Sequence, residues 1–131
     1  MRIKLNSIFV DDQDKAKAFY ADVLGFQVRH DIPAGGFRWI TLVAPDDPDG
    51  AELVLEPVSE DFARDFQSAL FERGIPITAF EVDDLRAEHA RLRDRGVVFS
   101  MEPTSQGPVA LAVFADTCGN HIQLIQPLDA S

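Results

Sequence analysis

The stretch Val10-Asp11-Asp12-Gln13-Asp14-Lys15-Ala16-Lys17-Ala18-Phe19-Tyr20-Ala21-Asp22-Val23-Leu24-Gly25-Phe26 decides how this chain is read, because its outline occurs twice. Val82-Asp83-Asp84 opens a second helical stretch that ends at Arg95-Gly96-Val97. Val10 and Val82 lie 72 positions apart and Gly25 and Gly96 lie 71 apart, so the two units are nearly in register. Each unit is followed by extended segments separated by turns. A duplicated strand-helix-strands unit implies a pseudo-symmetric body whose equivalent positions face one another across a shared cleft.

Within the quoted stretch, Asp12 or Asp14 caps a helix, since a short carboxylate can accept the unpaired amides of the first turn. Ala16, Phe19, Tyr20 and Val23 recur at i, i+3, i+4 and i+7 and form one apolar stripe. Gly25 ends the helix because it takes positive φ without strain.

Working outward, Ile3 to Val10 alternates as a strand, with Ile3, Leu5, Ser7 and Phe9 on one face and Lys4, Asn6, Ile8 and Val10 on the other. Strands are expected at 26–32, 37–44 and 51–57, separated by Pro33-Ala34-Gly35-Gly36 and by Pro45-Asp46-Asp47-Pro48-Asp49-Gly50. Residues 59–73 read as a connecting helix with Phe62, Phe66, Ala69 and Leu70 on one side, closed by Gly74. The second unit starts at Pro76. Ile77, Ala79 and Glu81 alternate with Thr78, Phe80 and Val82, and Asp84 caps a helix carrying Leu85, Glu88 or His89, and Leu92. Strands at 97–102, 109–115 and 121–126 complete it, with turns at Ser105-Gln106-Gly107-Pro108 and Asp116-Thr117-Cys118-Gly119-Asn120. The division expected is a first module at 1–58, a connecting helix at 59–75 and a second module at 76–131, together one domain.

Composition narrows the function. A chain of 131 residues, 46% hydrophobic with ten Phe, can bury a core, but halves of about 65 residues are marginal alone. A net charge of −10 leaves no basic stripe for a nucleic-acid backbone, while remaining compatible with a cationic ligand. No apolar run approaches the roughly 18 residues of a membrane span, and the N-terminus lacks a signal-peptide core. The one cysteine, Cys118, excludes an intrachain disulfide and suits a reducing cytoplasm.

Val10-Asp11-Asp12, Ala18-Phe19-Tyr20, Asp22-Val23-Leu24-Gly25-Phe26 and Asp116-Thr117-Cys118-Gly119-Asn120 together resemble the hallmarks of the vicinal-oxygen-chelate superfamily. That group includes glyoxalase I, extradiol dioxygenases, and the fosfomycin- and bleomycin-resistance proteins. The resemblance implies an α+β fold of two βαβββ modules whose curved mixed sheet cups a cavity, commonly in a homodimer. It also implies four corner positions where metal-using members place ligands on the first and last strands of each module. Counting from the motifs puts these corners at Leu5, Glu52, Ile77 and Gln123, with Glu52-Leu53 matched to Gln123-Leu124. One carboxylate, one amide and two hydrocarbons form a poor set for zinc or nickel, so no metal and no other cofactor is expected.

Several residues carry the candidate chemistry. His121 shares a strand face with Gln123 and could donate to a ligand carbonyl or act as a base; its plainer role is a strand-end hydrogen bond to backbone. Glu52 shares a face with Val54 and Glu56, and in an apolar cup its carboxyl pKa would rise and suit it to proton abstraction. Trp39 could stack a planar or cationic ligand, or pack in a core or a dimer contact; Arg38 points to the opposite side. Leu5, Ser7 and Phe9 on one strand, with Ile77 and Ala79 on another, would line an apolar cavity. His30 and His89 read as ordinary strand-end and helix residues, and Cys118 as a turn residue. The leading expectation is a metal-independent protein that binds a hydrophobic or cationic small molecule, like the antibiotic-sequestering branch. The alternative is a glyoxalase- or dioxygenase-like enzyme using a weak divalent metal, or Glu52 or His121 as base.

Overall fold

In the computed structural model, which describes residues 1–128, the helix of the opening stretch starts where its aspartate predicts. Asp12 accepts the Lys15 amide at 3.1 Å through its carboxylate, and α1 runs over Gln13–Ala18. The chain then widens into a π-helical turn, Phe19–Val23, in which the Leu24 amide reaches the Phe19 carbonyl five residues back at 3.1 Å. The wider turn keeps Phe19 and Tyr20 buried together, their rings edge to face at 5.6 Å. Gly25 takes a φ of 95°, a left-handed conformation that only glycine adopts freely, and the chain turns into the next strand.

The first unit's strands are β1 (Leu5–Val10), β2 (Gln27–Pro33), β3 (Arg38–Val43) and β4 (Glu52–Pro57), in the order β1-β4-β3-β2. β1 and β4 are parallel, while β3 is antiparallel to both β4 and β2. Ile8, Val10, Ile40, Leu42, Leu53 and Leu55 are buried and supply this unit's core. Gln13 of α1 fastens helix to sheet by donating to the Arg38 carbonyl at 2.7 Å and the Leu55 carbonyl at 3.0 Å.

Helix α2 (Asp61–Glu72) follows, and the division between the two compact units falls inside it, after Gln67. The second unit repeats the pattern: β5 (Thr78–Glu81), α3 (Leu85–Asp94), β6 (Phe99–Gln106), β7 (Val109–Ala115) and β8 (His121–Pro127), in the order β5-β8-β7-β6. β5 and β8 are parallel; the other pairs are antiparallel. Asp84 caps α3 by accepting the Ala87 amide at 3.1 Å, as Asp12 caps α1. The buried Asp116 organises the 116–120 turn, where its carboxylate accepts the amides of Cys118 and Asn120 and the Asn120 side chain at 2.8–2.9 Å. Leu85, Leu92, Ala112, Phe114, Ile122 and Leu124 form this unit's core. Each unit is thus a βαβββ module with a mixed sheet. Among the described residues, no helix is long and apolar enough to cross a membrane.

Candidate functional site

The face of the first sheet opposite its core carries the side chains singled out from the sequence. Alternation sets Leu5, Ser7 and Phe9 of β1 on that face, since Ile8 and Val10 between and after them are buried in the core. The parallel ladder pairs Leu5 with Glu52, Ser7 with Val54 and Phe9 with Glu56, so these six share one face. β3 adds Thr41, which pairs with Val54, and with it Trp39 two residues away. Arg38 points the other way, where it binds Asp31 in a two-pronged ion pair and also contacts Asp14. The Arg38 pair, together with Lys17, holds the Asp31 carboxyl far below the usual carboxylate range.

Glu52 is the most constrained of these residues. It is 6% exposed. The Thr41 hydroxyl donates to Oε1 at 2.7 Å. Lys4 Nζ lies 3.4 Å and Arg29 Nε 3.8 Å from Oε2, with His30 Nε2 3.8 Å from Oε1. Lys4 and Arg29 also tie down the β3–β4 turn. Lys4 donates to the carbonyls of Asp49 and Gly50 at 3.2 and 3.0 Å, and Arg29 donates to that of Pro48 at 2.7 Å. The consequence reverses an expectation. Burial does push the Glu52 carboxyl upward, but the Thr41 hydrogen bond outweighs it and, with Lys4 and Arg29, lowers its pKa below the ordinary value. A carboxylate held ionised by a hydroxyl and cations is a weak base, not the proton abstractor expected of an acid in an apolar cup.

Val54 is as closed off as Glu52, whereas Leu5 and Ser7 are exposed and Phe9, Trp39 and Glu56 half-buried. The Ser7 hydroxyl donates to Glu56 at 3.1 Å. The accessible part of this face therefore runs along β1 to Glu56 and Trp39.

In the second sheet, His121, Gln123 and Ile125 alternate with the buried Ile122 and Leu124, which places His121 and Gln123 on the face away from the core. Ala79 pairs with Gln123, and the Ile77 amide donates to the His121 carbonyl at 2.9 Å. This register corrects the matching of the two modules. Val10 pairs with Pro57, and one rung beyond Glu81–Ile125 sets the equivalent Val82 opposite Gln126. Stepping back five residues makes His121, not Gln123, the counterpart of Glu52, while Gln123 matches Val54. The likeness of Glu52-Leu53 to Gln123-Leu124 misled because ladder register, not local spelling, sets the equivalence.

The imidazole of His121 stacks on Phe71, the last aromatic residue of α2, with ring centroids 4.4 Å apart and planes 10° from parallel. Its Nδ1 is buried and has no hydrogen-bond partner. His89, expected to be an ordinary helix residue, meets the Glu102 carboxylate and packs against the edge of Phe99. Cys118 is fully buried.

The chemistry of the corner positions does not fit the divalent metal used by parts of the superfamily. Leu5 and Ile77 offer no donor atom, Val54, the counterpart of Gln123, is a third hydrocarbon, and the Glu52 carboxylate two residues before it is already engaged by Thr41, Lys4 and Arg29. Composition had shown none of Lys4, Arg29, His30 or Thr41 as partners of Glu52. Only Thr41 left a trace in the sequence, since alternation along β3 puts it on the face of Trp39.

Comparison with known proteins agrees with this architecture. Residues 2–124 match the glyoxalase/bleomycin resistance protein/dioxygenase superfamily, and the chain belongs to it. It is 52% identical over 126 residues to the uncharacterized protein YurT of Bacillus subtilis (strain 168), covering 96% of this chain and 99% of that one. The crystal structure of UcmS2 superposes with a TM-score of 0.84 at 37% identity, covering 95% of this chain and 97% of the other. That of TnmS3, an antibiotic binding protein from Streptomyces sp. CB03234, superposes with a TM-score of 0.76 at 30% identity, covering 97% and 96%.

Proposed function

We propose that this chain binds a small organic molecule without metal and without breaking a bond, in the manner of the superfamily's sequestering members. The observation that carries the reading is the donor set: Leu5, Ile77 and Val54, the register counterpart of Gln123, are hydrocarbon, and the nearby Glu52 carboxylate is already paired within the protein. The 30% identity to an antibiotic binding protein along nearly the whole chain supports the same reading. In this proposal Leu5, Phe9, Trp39, Ile77 and Ala79 supply apolar contact area, and Val54 backs them. Ser7, His121 and Gln123 orient polar groups of the ligand, and Glu52 stiffens the β3–β4 turn. Glu56, beside Phe9 on the ladder and on the face of Trp39, favours ligands with a cationic group. We further propose that the protein acts as a cytoplasmic homodimer.

The test is metal content followed by ligand screening. Untagged protein purified without chelator is challenged with zinc, nickel, manganese and ferrous iron, then screened by thermal shift against hydrophobic and cationic small molecules. Stabilisation by such molecules without turnover, and with no stoichiometric metal, is the expected result. Tight binding of one metal per site would overturn it.

A further inference from the structure

The stack of Phe71 on His121 is unexplained by core packing. Phe71 is 41% exposed, at the end of α2, with Glu72, Arg73 and Gly74 after it also exposed. A large apolar ring half in water gains little from burial, yet it lies flat on the imidazole at 4.4 Å. Beneath it, His121 Nδ1 is a buried ring nitrogen with no hydrogen-bond partner. Neutral imidazole has one donor and one acceptor nitrogen, and a protein rarely leaves either unmatched inside. The Ile77 amide donates to the His121 carbonyl at 2.9 Å, which ties this histidine to the start of β5.

We propose that Phe71 is an exchangeable cover for His121, standing in the place of a flat ring of the ligand. The ligand class follows from the stack: a flat aromatic ring that replaces the Phe71 ring on the face of the imidazole. Because Phe71 is already partly in solvent, turning its side chain outward uncovers His121 without moving the backbone of α2. This rests on the small-molecule reading above and assigns a specificity role to a residue outside the sheets.

The experiment uses 1-naphthol, with its saturated analogue decahydro-1-naphthol as control, on protein carrying 15N-labelled histidine. Three imidazoles are present, and the spectrum of His121→Phe assigns the signal of His121. The expected result is that naphthol moves the His121 Nδ1 resonance and removes the proton contact between the Phe71 and His121 rings. The saturated analogue should do neither. Phe71→Ala, an exposed position, should bind naphthol about five-fold more tightly, since the competing covered state is gone. Phe71→Leu, which cannot stack, should behave likewise. The proposal is overturned if the ring contact persists at saturating naphthol, or if Phe71→Ala binds no more tightly than the parent. A response of Trp39 fluorescence alone also overturns it while leaving the small-molecule reading intact. Binding of neither probe anywhere removes the proposal, and the thermal-shift screen then decides separately whether the broader reading goes with it.

Discussion

Glu52 shows how one side chain ties acid stability to local structure. Its folded pKa is depressed, first by the Thr41 hydroxyl and then by Lys4 and Arg29 against the opposing pull of burial. The stabilisation it provides is therefore present above the ordinary carboxylate pKa and is lost as pH falls through the lower, folded value. Glu52→Gln should flatten the acid limb of a stability-versus-pH curve measured by urea unfolding, leaving the neutral limb parallel to that of the parent. An unchanged acid limb would show that the carboxylate is not ionised as described. Thr41→Val removes the 2.7 Å bond from a buried carboxylate and should destabilise by about 1–3 kcal/mol in the same measurement. The sequence offered Glu52 as a candidate by its place on a strand, but its electrostatic sign depended on Lys4 just before β1, Arg29 of β2 and Thr41 of β3. A pKa is decided by neighbours in space.

Among the elements, the helix starts were the most legible. A capping aspartate acts on amides two or three residues away, so Asp84 could be assigned from order alone and the first cap narrowed to Asp12 or Asp14, of which the structure shows Asp12. Asp84→Ala should cost about 1 kcal/mol, read from the denaturation midpoint. Helix α2 was the least legible. Its periodicity groups Phe62, Phe66, Ala69 and Leu70 on one side, yet Phe62 is 72% and Phe66 51% exposed, and the buried residues are Ala63 and Gln67. Gln67 explains the rotation, because its amide donates to the Phe9 carbonyl at 2.9 Å and turns its own face inward. Phe62→Ser should accordingly change stability by less than about 0.5 kcal/mol. Leu92→Ala in the core of α3 should cost roughly 2–5 kcal/mol. A large loss from Phe62→Ser in thermal unfolding would mean that this face is covered in solution.

For the whole molecule, binding and folding are linked. A ligand that occupies the native state alone stabilises by about 2.7 kcal/mol at a hundred times its dissociation constant. For a chain of this size that is a Tm rise of several degrees, readable in a thermal-shift assay. Raising salt should leave such binding largely intact for an apolar ligand and weaken it for a cationic one, because a chain of net charge −10 attracts cations through a screened field.

The duplicated Val-Asp-Asp outline, the glycine stops and the alternating strands were enough to establish two βαβββ modules and to show that Leu5 and Ile77 carry no metal donor. These features are local, set by residues within a turn of one another or by side-chain type alone. The tertiary structure decided the rest: that His121 is the counterpart of Glu52, that Glu52 is held ionised, and that Phe71 lies on His121. Each depends on strand register or on a contact between residues far apart in the chain, and neither composition nor periodicity encodes which distant groups a fold brings within 4 Å.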